Sequence, residues 1–222
     1  MSRVESIPFD QAWAYAEKIA EWLRPFCLEL RLAGSIRRER PQCGDVDLVV
    51  IPRTTALGSA DLFGGEPVRR NELHAALTDY VRNSDGRATW KLGADSPWSE
   101  NVILQLPKVQ LDIFLATPET IGSVLLCRTG SKEHNIYLAQ RAAALGKAWV
   151  PNRGVVPMTR ARAEGLYDGG LREAVAEPAP DEASVYHALQ LPFIGPVNRE
   201  RAWLERQFGP PDRLYAGVNT GV

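Results

Sequence analysis

The chain is short of cysteine, of net positive charge and of long apolar runs. Its three cysteines, Cys27, Cys43 and Cys127, are odd in number and form no Cys-x-x-Cys pair, which indicates neither a disulfide framework nor a zinc site. No apolar stretch approaches the roughly 18 residues a membrane helix needs. The first residues show no cationic-then-apolar leader. The expectation is a protein of the reducing cytoplasm with no membrane partner. Lys and Arg number 26 against 27 Asp and Glu, a net charge of −1. That balance lacks the overall basic footprint usual among nucleic-acid binders. No internal repeat is visible. What remains is 222 residues with 45% hydrophobic content, enough for one compact domain or two small ones.

The chemistry concentrates in one region. Asp45-Val46-Asp47-Leu48-Val49-Val50-Ile51 reads as a strand. Side chains alternate along a strand, so Asp45 and Asp47 project on the same side. Two adjacent carboxylates repel unless a cation sits between them. Hard oxygen ligands on a rigid strand suit Mg²⁺, which completes its shell with waters and substrate phosphates. Upstream, Leu28 to Ala33 reads as another strand, and Gly34-Ser35 as the entry to a helix. A helix N-terminus offers backbone N–H groups to an anion, and Arg37 and Arg38 add charged donors. Each half alone fits a plain reading: a solvated strand face, or a helix cap. Together they are the equipment for phosphoryl or nucleotidyl transfer by two metal ions. A third acid, Asp112, lies inside the apolar strand Val109 to Leu115. Its neighbours suggest a strand buried on both faces, where a lone carboxylate is costly unless paired or metal-bound.

At this point the sequence resembles DNA polymerase family X, the polymerase-β-like nucleotidyltransferases. Gly34-Ser35, Arg38 and Gly44-Asp45-Val46-Asp47 match the family's palm motif, and Asp112 falls on its third catalytic aspartate. Thr129-Gly130-Ser131 and the helix after it look like the family's Thr-Gly-Ser turn. Glu182 to Pro196 resembles its C-terminal helix and the proline-rich segment behind it. The resemblance spans roughly residues 20–205. It implies an α+β fold: a nucleotidyltransferase palm with a mixed β-sheet and flanking helices over 1–120. A small C-terminal α/β subdomain that binds nucleotide and DNA would follow over 121–208, with a flexible tail over 209–222.

The resemblance also implies roles. Asp45 and Asp47 would hold two Mg²⁺ ions, for which Mn²⁺ may substitute, and Asp112 would hold the ion at the primer 3′-hydroxyl. Ser35, Arg38 and the Gly44 N–H would cradle a nucleoside triphosphate, with Gly34 at the turn. Gly130 and Ser131 would form a floor beneath the sugar, and Asn135 would reach towards the base. Cys127 and Arg128 stand where the family often has two aromatics that exclude a 2′-hydroxyl, so weak sugar discrimination is expected. Ala139 and Gln110 replace arginines of some members. The resemblance implies a DNA polymerase acting as a monomer on a primer 3′ end. Only about 27 residues precede the palm strand. Neither a helix-hairpin-helix and lyase module nor a C-terminal phosphoesterase is expected, which leaves a role for an accessory DNA-binding partner.

Residues 128–162 carry seven Lys/Arg against Glu133 alone, and residues 163–182 carry six acids against Arg172. The basic run, placed just after the catalytic strands, is expected to face DNA. His74 and His134 read as surface residues, and Trp90, Trp98 and Trp149 as packing residues. Pro52 to Val68 reads as a loop. The alternatives are terminal transfer without a template, transfer of a nucleotide to a small molecule or protein, and a degenerate nucleotide-binding module. The Thr129–Ile136 segment argues against the second, and the three retained acids against the third.

Overall fold

Apolar residues recur at helical spacing from Phe9, and the computed structural model forms α1 over Phe9–Leu23. It describes residues 6–57, 68–158 and 178–212. Ala12, Ala16, Ala20 and Leu23 make the buried stripe of α1, small enough for close approach to a sheet, while Trp13 stays exposed against Phe9. Pro25 ends the helix in a 3₁₀ turn over Arg24–Phe26.

The strands that follow are β2 (Cys27–Leu32), β4 (Asp45–Pro52), β7 (Thr89–Leu92), β8 (Asn101–Gln105) and β9 (Gln110–Leu115). A two-residue β1 (Ile7–Pro8) pairs with β3 (Gln42–Cys43), and α2 is a single turn over Gly34–Arg37. The five-stranded sheet runs β2-β4-β9-β8-β7. The β4–β9 pair is parallel and the other pairs are antiparallel, so the sheet is mixed. Period-2 alternation sends Val46, Leu48, Val50, Leu111 and Ile113 into one core with Ala12, Ala16 and Leu23. Helix α3 (Glu72–Arg82) adds Leu73 and Leu77, and its cap is Asn71, whose side chain accepts from the His74 N–H.

The segment read as a loop contains an antiparallel ribbon, β5 (Thr54–Leu57) against β6 (Val68–Asn71). All of its residues but Asn71 are exposed, so it carries no apolar alternation that a sequence would reveal. The remainder of that loop, 58–67, lies outside the described residues.

The chain divides into two compact units, Met1–Ala116 and Thr117–Val222. The second holds α4 (Ile121–Thr129), α5 (Lys132–Ala144), the ribbon β10 (Lys147–Val150) with β11 (Gly154–Pro157), α6 (Glu182–Ala188) and α7 (Arg201–Phe208). Leu126, Tyr137, Leu138, Val185, Tyr186 and Leu204 share its core. Of the proposed tail, Gly209 ends α7 and its carbonyl accepts from the Tyr137 hydroxyl, while residues 213–222 lie outside the described residues. Among the described residues, no helix is long and apolar enough to cross a membrane.

Candidate metal and nucleotide site

The parallel register sets Asp47 against Asp112 and Asp45 against Gln110. Asp45 and Asp47 are two residues apart, so all three carboxylates line one face of the β4–β9 pair. One oxygen from each lies within 4.8 Å of the others, the only such acidic group of metal-ligand type among the described residues. All three are half-buried. Asp112 is therefore not enclosed on both faces as its apolar neighbours suggested. Leu111 and Ile113 go into the core, and the acid points to the other side. Burial pushes the Asp45 carboxyl above the ordinary carboxylate value, and hydrogen bonding with Asp47 and the charge of Arg38 pull it partly back. Asp45 thus resists ionising here and gains from a cation.

The Gly34–Arg37 turn sits against this face. The Ala33 N–H donates to the Asp47 carbonyl at 2.9 Å. Gly34 has φ +59, and a Cβ there would overlap the Asp47 carboxylate. Both the conformation and the space demand glycine. Ser35 Oγ is buried with no hydrogen-bond partner among the described residues. Gly44 has open space around its Cα. Because α2 is four residues long, little helix dipole is available. What the turn offers an anion is the Ser35 hydroxyl, the Arg38 charge and local N–H groups.

Sequence reasoning missed a contact beside Asp112. Gln110 Nε2 donates to Asp112 Oδ1 at 2.8 Å, and Lys91 Nζ donates to Gln110 Oε1 at 2.6 Å. Elsewhere in the first unit, a cavity of about 540 Å³ is lined by Trp22, Phe26, Arg70, Tyr80 and Arg87 among others, and contains none of the acids.

Cys127, Arg128, Gly130, Ser131 and Asn135 belong to the second unit. Gly130 ends α4 with φ +68, and the Gly130–Ser131 peptide bond is cis. Ser131 Oγ caps α5 by accepting from the His134 N–H at 3.3 Å, and it donates to the Arg199 carbonyl at 2.9 Å. Arg199 is fully buried. Its Nη1 bonds Glu182 Oε1 at 2.7 Å and its Nε bonds the Ile194 carbonyl at 3.0 Å. Asn135 Nδ2 donates to the Cys127 carbonyl at 2.8 Å, so the residue expected to reach the base also braces the end of α4. Cys127 and Arg128 are half-buried, and burial raises the Cys127 thiol despite the Arg128 charge.

Several expectations need correction. His134 is buried, not on the surface: its ring lies 3.1 Å from Asn135 Oδ1 and 2.9 Å from the Tyr186 hydroxyl. These contacts fit a ring that donates from Nδ1 and accepts at Nε2. His74 is half-buried, with Nε2 against the Gly93 and Ala94 carbonyls. Trp149 is buried and donates to Ser123 Oγ, but Trp98 is 49% exposed. The basic run is not one DNA-facing surface. Arg141 is buried and donates to the Leu189 carbonyl, and Lys147 donates to that of Ala188. Both cations satisfy carbonyls left open at the end of α6. Arg160, Arg162 and the acids of 163–177 lie outside the described residues. Arg199 and Glu182 were missed as well, since no periodicity links two charges 17 residues apart across a Pro-rich turn.

The family model described as DNA polymerase beta thumb matches residues 124–200. That stretch includes the Thr129-Gly130-Ser131 turn and both members of the Arg199–Glu182 pair. The fold as a whole resembles the ternary P/T complex of Leishmania infantum polymerase beta, with a TM-score of 0.56 and 19% identity over 89% of this chain and 78% of that one. Against the ternary gap complex of the same polymerase, the TM-score is 0.59 at 20% identity, over 88% of this chain and 71% of that one. The fold is polymerase-β-like. No curated protein matches it. The thumb match falls within the second unit, and the mixed sheet of the first carries the three acids.

Proposed function

We propose that the chain is a minimal family X polymerase, extending a nucleic-acid 3′ end from a nucleoside triphosphate with release of pyrophosphate. The observation that carries this reading is the group of three carboxylate oxygens within 4.8 Å on one strand pair. The buried Ser35 hydroxyl and the Arg38 charge act on the same turn and support it. The donor set fits Mg²⁺: three hard oxygen ligands, open on one side, with Asp45 reluctant to ionise alone. Bound there, two such ions activate the attacking hydroxyl and neutralise charge on the phosphates. Asp45 and Asp47 would hold both ions, and Asp112 would hold the one at the 3′-hydroxyl and accept that hydroxyl's proton. Ser35, Arg38 and the Gly44 N–H bind the triphosphate. Gly130 and Ser131 lie beneath the sugar, Cys127 and Arg128 beside it, and Asn135 near the base. DNA is the partner, read through its primer 3′ end.

The test uses labelled single-stranded, recessed and gapped primers with each nucleotide in Mg²⁺ or Mn²⁺. Template-directed extension with pyrophosphate release is expected. Untemplated tailing would replace the reading with terminal transfer. Label on the protein or on a small acceptor, or no transfer at all, would overturn it.

A further inference from the structure

We infer that Lys91 and Gln110 form a positioning relay for Asp112, in which the Gln110 amide converts an outlying lysine into a fixed carboxylate orientation. The inference rests on the reading of Asp112 as a metal ligand and proton acceptor. Gln110 lies two residues before Asp112 on β9 and so shares its face. Its Nε2 donates to Asp112 Oδ1 at 2.8 Å, and its Oε1 accepts from Lys91 Nζ at 2.6 Å.

Lys91 reaches that face by the ordinary alternation of the edge strand, because Trp90 before it packs into the core. Strand β7 does not neighbour β9, because β8 lies between them. Trp90 pairs with Leu104 and Leu92 with Ile103, so Lys91 is an extra residue in the ladder. Ile103 in turn pairs with Asp112, which puts Leu92 on the acids' face. The bulge re-aims Leu92 and leaves Lys91 on the same face, from which it spans β8 to meet Gln110.

The chemistry selects glutamine. An ammonium has only donors and a carboxylate only acceptors. An amide between them offers oxygen to one and N–H to the other. Flipped, it would set its NH₂ against the ammonium and its oxygen against Asp112. Lys91 therefore decides which way the amide points, and the amide holds the carboxylate for its part in the cage. Glu at position 110 would repel Asp112, and Leu would release it. Because Lys91 is exposed, its direct Coulombic effect is screened, and its influence travels through hydrogen-bond geometry.

The experiment measures Mn²⁺ affinity by electron paramagnetic resonance without nucleotide, and kcat and nucleotide KM in primer extension. It compares wild type with Gln110→Leu, Lys91→Met, Lys91→Arg and the Lys91→Met/Gln110→Leu double variant. Gln110→Leu should lower Mn²⁺ affinity and kcat each by about tenfold, the low end for a group that orients a metal ligand. Lys91→Met should lower both by about threefold, as fits one exposed charged contact. Lys91→Arg should keep wild-type values. The double variant should be no worse than Gln110→Leu, because Lys91 acts only through the amide. Nucleotide KM should stay level. Additive losses, or Lys91→Met with wild-type affinity and rate, would overturn the relay. If the wild type binds Mn²⁺ but extends no primer, the proposed function fails and the relay is judged on affinity alone. A wild type that binds no Mn²⁺ overturns both.

Discussion

The two units treat their polar groups in opposite ways. In the first, three carboxylates crowd one face half-exposed, Asp45 is held above its ordinary value, and Ser35 Oγ is buried without a bond among the described residues. In the second, the turn at Gly130–Ser131 is fastened by Ser131 to the Arg199 carbonyl, and the Arg199 side chain is locked to Glu182 with both nearly out of solvent. The open cluster leaves its carboxylates within reach of a ligand. The closed network sets a buried charge against its opposite, with Arg199 Nη2 left over among the described residues. Clustered half-exposed acids and a buried, oppositely paired charge thus mark two different uses of polar groups.

The contrast is broken most directly at Asp112. On the proposed reading, replacing it by Asn removes a metal ligand and a proton acceptor without changing shape. Transfer should fall by about 10²- to 10⁴-fold, while a urea melt moves little. Loss of stability comparable to the loss of rate would show that the acids are structural. The converse experiment is Arg199→Met. It takes the guanidinium away from the buried Glu182 carboxylate, and should cost about 3–5 kcal/mol. Adding Glu182→Leu should recover much of that, because the uncompensated charge goes too. Chemical denaturation checks both, and a single variant within 1 kcal/mol of wild type, roughly a surface effect, would erase the contrast.

Two smaller effects sharpen it. Gly34→Ala introduces a Cβ against the Asp47 carboxylate at a positive φ. Displacing a ligand by about 1 Å is expected to cost about 10²-fold in rate, and steady-state kinetics with Mg²⁺ titration reads it. Asp181 is the mildest case. Its carboxylate caps α6, held below the ordinary value first by the Ser184 hydroxyl and then by the Ser184 N–H. A carboxyl lowered in the folded state stabilises above its unfolded value, and that contribution fades as pH falls through the folded value. Asp181→Ala should therefore cost about 1 kcal/mol near neutrality, with the gap to wild type closing in acid. Asp181→Asn should cost less and show no such closing. Melts across pH test both.

Much of the first unit was legible because its signals are local. The Asp45-Val46-Asp47 alternation fixes which side two acids take, and Phe9–Leu23 announces its helix by spacing. The ribbon Thr54–Leu57 with Val68–Asn71 was not legible, since backbone pairing without burial leaves no apolar period. The histidines were misread for a related reason. His134 has polar neighbours in sequence, and only the packing of α5 against α6 encloses it with Tyr186.

By itself, the sequence determined the acids that share a strand face and the glycine at the turn before them, and the family resemblance pointed to the turn at Thr129-Gly130-Ser131. The first two depend on residues a few positions apart, where backbone geometry alone sets direction. Only the tertiary structure decided that Asp112 stands against Asp47, that Lys91 reaches Gln110 across β8, and that Arg199 is closed over Glu182. Strand order, register and burial join residues far apart in the chain, and those are properties of the packed fold that no local period encodes.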